Sequence, residues 1–159
     1  MRKIIFSILI GNFLISCNLF GPVESSIQTN NVDYSEKDII GTWKLDKFSY
    51  EYLSKKVNLD SIYITFKSDS TFVLNNSIDL FDKIDYRPKE KVNGKIDNIK
   101  SEGKWKITNY KASRHNVLSL NFNNIKKDGF NIYKKGDEYQ IWYFLNDPDT
   151  GQRLRFLKE

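Results

Sequence analysis

Few side chains in this sequence could do chemistry: one thiol, Cys17, one imidazole, His115, and carboxylates scattered among lysines. A metal centre built on histidine or cysteine needs several ligands at set spacings, and neither His-x-x-x-His nor Cys-x-x-Cys occurs. A Ser-His-Asp triad would need a serine nucleophile near His115. The sequence has no Gly-x-Ser-x-Gly elbow and no glycine-rich phosphate loop. His115 stands in a polar stretch between Arg114 and Asn116, where a solvated imidazole is expected. Asp147-x-Asp149-x-Gly151 echoes a calcium loop, but its glycine arrives one residue early and Lys158 stands where the distant bidentate acid belongs. Pro148 and Gly151 account for the same stretch by backbone angles alone, as a hairpin turn. Carboxylates in such a turn face solvent, unlike the enclosed pair that acid–base catalysis needs. The expectation is a protein that binds rather than catalyses, with no catalytic residue, cofactor or metal.

Cys17 has chemistry of another kind. A lone thiol cannot form an internal disulfide, so in an exported chain it is exposed and reactive unless modified. It follows a basic pair, Arg2 and Lys3, and an apolar run over residues 4–15 that ends in Leu14-Ile15-Ser16-Cys17. That run has the length of a secretory apolar region and is short for a membrane-spanning helix. The layout resembles a bacterial lipoprotein signal with its lipobox. The resemblance implies cleavage just before Cys17, diacylglycerol on its thiol, and anchorage in the cell envelope, with the outer membrane as destination. An uncleaved anchor helix, or an ordinary signal peptide with Cys17 incidental, are the plainer readings. On the lipoprotein reading, residues 1–16 are the signal, 17–34 a lipidated tether and 35–159 the folded body. The tether is polar, carries Gly21-Pro22 and Ser25-Ser26, and as a flexible coil spans on the order of 20–25 Å.

Without residues 1–16 the 159-residue chain keeps 143 residues, one domain by length. A body of that size buries roughly 68–70% of its unfolded surface, enough for one apolar core. Loss of Arg2 and Lys3 leaves 23 Lys+Arg against 20 Asp+Glu, a net charge of +3. Nucleic-acid binding wants clustered arginine and a larger excess, so it is excluded as a partner class. The lysines of residues 83–111 are interspersed with acids and read as a solvated face, with a weak attraction to anionic lipid headgroups as the alternative. Ala112 is the only alanine, whereas Phe, Tyr, Ile and Val abound, which favours β-structure over a helical bundle.

The elements that must position any site read as follows. Ser35-Glu36-Lys37-Asp38 has the form of a helix capping box, and Gly41 ends the short helix it begins. Period-two alternation starts with Trp43 and Leu45. Phe48, Tyr50 and Tyr52 carry the opposite parity, a slip that a β-bulge at Asp46-Lys47 would produce. Ile62, Ile64 and Phe66 turn through Ser68-Asp69-Ser70 into Phe72 and Leu74, a hairpin. Ile78, Phe81 and Ile84 recur at three-residue spacing within residues 77–93, either as a short helix over a barrel mouth or as a long loop packed on its rim. Alternation resumes at Ile96 and Ile99, then through Trp105, Ile107, Leu118, Leu120 and Phe122. Phe130 and Ile132 precede a turn at Lys135-Gly136-Asp137, and residues 139–145 are apolar on both parities, as in a strand covered on both faces. The total is eight to nine short strands in an antiparallel all-β meander, which closure into a barrel would free of edges.

A short helical turn followed by Gly41-Thr42-Trp43 and a meander resembles the lipocalin-type barrel, closest to the lipocalin-like domains of Bacteroidota lipoproteins. That resemblance implies that Trp43 plugs the closed end of the barrel against an arginine near the chain's end, Arg153 or Arg155, by a cation–π contact. The family's Thr-Asp-Tyr element is absent. Aromatics make up 14% of the chain, and many fall on the inward parity. An eight-stranded interior is just wide enough to be filled by side chains or to hold one small ligand. For a small hydrophobic or amphipathic ligand the lining would be Ile64, Phe66, Trp105 and Leu120. With the interior packed, the barrel is instead a surface-presented scaffold whose rim, at residues 77–93 and 109–116, contacts a protein or glycan.

Overall fold

The computed structural model describes residue 32 and residues 34–53, 61–81, 100–110, 115–123 and 125–159. The signal, Cys17, most of the tether, residues 82–93, and Ile96 with Ile99 lie outside the described residues. A helix α1 (Glu36–Ile39) precedes eight strands: β1 (Gly41–Leu45), β2 (Tyr63–Phe66), β3 (Thr71–Leu74), β4 (Ser101–Tyr110), β5 (His115–Phe122), β6 (Ile125–Lys135), β7 (Glu138–Phe144) and β8 (Arg153–Lys158). Each strand pairs antiparallel with the next in sequence. β8 returns to β1 through Trp43↔Lys158, Lys44↔Leu157 and Leu45↔Phe156, closing the sheet into an eight-stranded all-β barrel.

Local chemistry sets the connections. The Ser35 amide and hydroxyl both donate to the Asp38 carboxylate, at 2.7 and 2.8 Å, which satisfies a donor that the start of α1 would leave orphaned. Those bonds hold the Asp38 carboxyl below the usual range. Between β2 and β3, Asp69 accepts from the amide and hydroxyl of Thr71, at 2.9 and 2.6 Å, and Ser70 takes φ 63°. Gly136 at φ 61° opens the two-residue connection from β6 to β7, the glycine position of a type II′ hairpin.

One expected strand is not a strand. Residues Lys47–Tyr52 form a 3₁₀ turn, so the parity slip at Asp46-Lys47 marks a change of secondary structure rather than a bulge. The Asp46 amide makes a last bond to the Arg155 carbonyl at 2.8 Å, and Ser49 then bonds back to the Asp46 carbonyl at 2.9 Å. The Ser49 hydroxyl accepts from the Arg155 amide at 2.7 Å, which pins the turn on the outer wall of β8. The sheet's irregularity lies instead between β5 and β6, where the register shifts between Leu118 and Leu120.

The core is the barrel interior. Alternate residues face inward, among them Trp43, Ile64, Phe72, Leu118, Phe130 and Phe156, all fully buried. β7 is buried on both faces over Gln140, Ile141, Trp142 and Tyr143, as its unbroken apolar run predicts. Its outer face owes this cover to the Phe48 turn and to Arg153, packed across Trp142.

Candidate functional site

Period two and the register place all four predicted lining residues inside. Ile64 pairs with Trp43 and Leu74, Phe66 with Gly41 and Phe72, and Trp105 with Leu120. Their exposures are 0% for Ile64 and Leu120, 1% for Phe66 and 3% for Trp105, so each is committed to packing. Phe66 meets Trp105 edge-on with ring centroids 5.6 Å apart, and Phe72 meets Phe122 at 4.8 Å. The Trp105 indole N–H donates to the Lys67 carbonyl at 3.1 Å.

Phe81 continues this aromatic chain from outside the wall. It ends the 3₁₀ turn Ile78–Phe81, which begins where the Leu80 amide bonds the Ser77 carbonyl at 3.1 Å. Its ring enters the barrel among side chains of four strands: Phe122 of β5 at 6.1 Å, Phe130 of β6 at 4.9 Å, Tyr143 of β7 at 5.2 Å and Phe156 of β8 at 6.3 Å. The buried Tyr143 hydroxyl donates to the Phe81 carbonyl at 2.7 Å. Of the two readings for residues 77–93, the described part is a short turn that puts a ring into the mouth.

The opposite end is closed by α1 and Trp43. The Trp43 indole N–H donates to the Ile39 carbonyl at 2.7 Å, and the ring is fully buried. The cation set over it is Lys158, whose Nζ lies 5.6 Å from the ring centroid and donates to the Asp38 carbonyl at 2.7 Å. This corrects the expected pairing of Trp43 with Arg153 or Arg155. Strand parity is the reason: Lys158, Phe156 and Leu154 share the inward side of β8, and the two arginines take the outer one.

Outside, the arginines build a clamp on the wall. The Arg153 guanidinium lies 3.9 Å from the Trp142 ring and 4.4 Å from Phe48, a cation held between two aromatic faces. Arg155 lies 4.7 Å from Phe48, pairs with the Asp46 carboxylate, and donates to it from Nε at 2.6 Å. Tyr133 stacks on Trp142 at 4.1 Å, and the Trp142 indole donates to Gln140 at 2.9 Å. Burial pushes the Tyr133 hydroxyl up, and pushes that of Tyr52 to about 12, so both stay neutral.

Comparison with protein-family models, with curated proteins and with solved structures finds no match. What the barrel does must be read from its own side chains. Its described interior is apolar surface packed ring on ring, with the Tyr143 hydroxyl at the mouth bonded to the Phe81 carbonyl. The Asp147 carboxylate accepts from the Asp149 amide at 3.0 Å, and Gly151 takes φ 71°, so this stretch is the turn between β7 and β8. His115 opens β5, and its side chain lies outside the described residues. Sequence reasoning missed Phe81, Tyr143 and Lys158 as site residues. The inward parity that Tyr143 shares with Ile141, joined to its hydroxyl, was the signal for that one.

Proposed function

We propose that this chain is a lipoprotein anchored through Cys17 in the cell envelope, and that its lipocalin-like barrel binds a small hydrophobic or amphipathic molecule. Phe81 carries the reading. The mouth is filled by a ring brought in on a turn, not by a wall strand, so its place can be vacated without opening the sheet. Ile64, Phe66, Trp105 and Leu120 form the deeper apolar wall against which a ligand would rest. The apolar character of the described interior supports a binding role. Native mass spectrometry of the chain purified from its own host tests the barrel. A small mass released on unfolding supports the reading; a bare chain that also refuses every offered amphiphile refutes it. Labelled palmitate should mark the native chain and leave Cys17→Ser unmarked, and equal labelling of the two refutes the anchor.

A second reading, a surface-presented scaffold that contacts a protein or glycan, is favoured by the ring-on-ring packing of the same interior. It expects partner capture that survives interior substitutions such as Leu120→Met and is lost on changing exposed rim residues.

A further inference from the structure

We propose that the tip of the β5–β6 hairpin, with the basic face beside it, docks the mouth end of the barrel on the surface of an anionic bilayer. This inference rests on the envelope anchor proposed above, which holds the chain beside such a surface. Ile125 is the one large apolar residue that stands exposed among the described residues, at 53%. A lone exposed isoleucine is ordinary in itself, and its place is what matters. It pairs with Phe122, whose ring lies 6.1 Å from that of Phe81 in the mouth. It also follows a two-residue turn that starts with Asn123 at φ 54°. An apolar side chain at such a tip enters the headgroup layer while the sheet behind it stays paired.

The outer face beside the tip supplies the attraction. Asn121 pairs with Lys104 on one side and Lys126 on the other, so one row across three strands carries two exposed lysines. Lys106, also exposed, pairs with Ser119 in the next outward row, and Lys127 pairs with Leu120. Asp128 offsets one of these charges through its 2.6 Å ion pair with Lys126, and Glu102 offsets a second, so four lysines against two acids leave +2. An anionic leaflet attracts each lysine brought within a Debye length of it, and burial of the apolar tip adds to that attraction. The turn between β7 and β8, at the same end, exposes Asp147 and Asp149, so the contact falls on the β5–β6 side alone. Length permits it. The 11 residues of β6, at ~3.3 Å each and tilted about 40°, climb about 25–30 Å along the barrel. The sixteen residues between Cys17 and Tyr34 extend to about 55 Å, so a chain that enters through α1 can lay the far end of its barrel on the bilayer. The docked mouth then meets lipid directly, and an amphiphile passes between bilayer and barrel without crossing water.

The test places a bimane label on the introduced thiol of Ile125→Cys, in the full lipidated chain on vesicles of phosphatidylcholine alone or with phosphatidylglycerol. Asp137→Cys, fully exposed in the β6–β7 turn at the opposite end, is the reference. A lipid with a nitroxide headgroup should quench the Ile125→Cys label at least about threefold more in the anionic vesicles than in the neutral ones, and should quench Asp137→Cys equally in both. Adding Lys104→Gln, Lys106→Gln and Lys126→Gln, all at exposed positions, or raising salt to about 0.5 M, should remove that difference. Equal quenching of Ile125→Cys in the two membranes, or stronger quenching at Asp137→Cys, overturns the docking. An anionic preference that survives the three substitutions overturns the basic face as its cause. A label already shielded without vesicles, and more so at higher protein concentration, shows that a second copy covers the tip and overturns the inference. The anchor is read separately. Bimane uptake by the native chain, whose lone thiol the lipid should occupy, or failure of that chain to float with neutral vesicles, refutes the anchor, while the anionic preference still reports on the tip.

Discussion

A single methyl group at Gly103 should cost this barrel more than at any of its turn glycines. Gly103 sits inside β4 opposite Phe72. A Cβ there would stand 1.9 Å from the Asn121 carbonyl oxygen, 2.8 Å from its carbon and 3.1 Å from the Phe122 Cα. Ordinary contact begins near 3.4 Å, so β4 and β5 must part by about 1.5 Å where they now converge. The obstruction is backbone, which no rotamer can relieve. The ladder that would have to yield runs from Lys104↔Asn121 to Tyr110↔His115. Losing its nearest bonds costs about 1 kcal/mol each, and overpacking adds about 1–3 kcal/mol. Gly103→Ala should therefore destabilise by about 3–4 kcal/mol. Gly136→Ala is the control: at φ 61° with no atom within 4 Å of its Cβ, it carries only left-handed backbone strain of about 1–2 kcal/mol. Thermal unfolding followed by near-ultraviolet circular dichroism separates the two. At roughly 3–4 °C per kcal/mol for a body of this size, Gly103→Ala should lower Tm by about 10–15 °C and Gly136→Ala by about 3–8 °C. Equal losses would refute the close approach, and with it the corner that sets Phe122 against Phe72 beneath Phe81.

Other perturbations probe the two closures and the outer clamp. Trp43→Phe keeps a ring but leaves the Ile39 carbonyl without its indole donor, and should cost about 2–3 kcal/mol in urea unfolding. A double-mutant cycle of Asp46→Asn with Arg155→Met should give a coupling of about 1–2 kcal/mol that 0.5 M salt reduces only partly, because both side chains are mostly covered. Asp38 is held below its unfolded pKa, so its contribution is present above that value and lost as pH falls through the folded one. Asp38→Asn should then cost at most about 1 kcal/mol near pH 7, and the gap to native protein should close on acidification below about pH 4.

The strands were legible because each side of this sheet has its own solvent. Ile62, Ile64 and Phe66 alternate with Tyr63 and Thr65 only if one face is dry, and from such alternation the meander and its closure follow. The same rule, applied across β8, would have assigned Lys158 to Trp43, since Phe156 and Leu154 fix the inward parity; the resemblance to the lipocalin-type barrel pointed to Arg153 or Arg155 instead. A resemblance cannot outvote the pleat, because moving Arg153 or Arg155 inside would turn Leu154 and Phe156 out. Phe48, Tyr50 and Tyr52 misled for a related reason. Alternation records which residues are covered, and the 3₁₀ turn at Lys47–Tyr52 lays Phe48 on the outer wall against Arg153 and Arg155 rather than within the sheet. Phe81 marks the limit of this kind of reading. Its three-residue spacing from Ile78 says that one side of the segment is buried, yet says nothing of the surface that receives it. That surface is assembled from β5, β6, β7 and β8, four strands distant in sequence, and only the closed barrel brings their rings to one point. A site made by a connection entering a barrel thus stays hidden from pattern while every wall residue around it is plain, and substitutions at Phe81 test binding where those at the wall test folding.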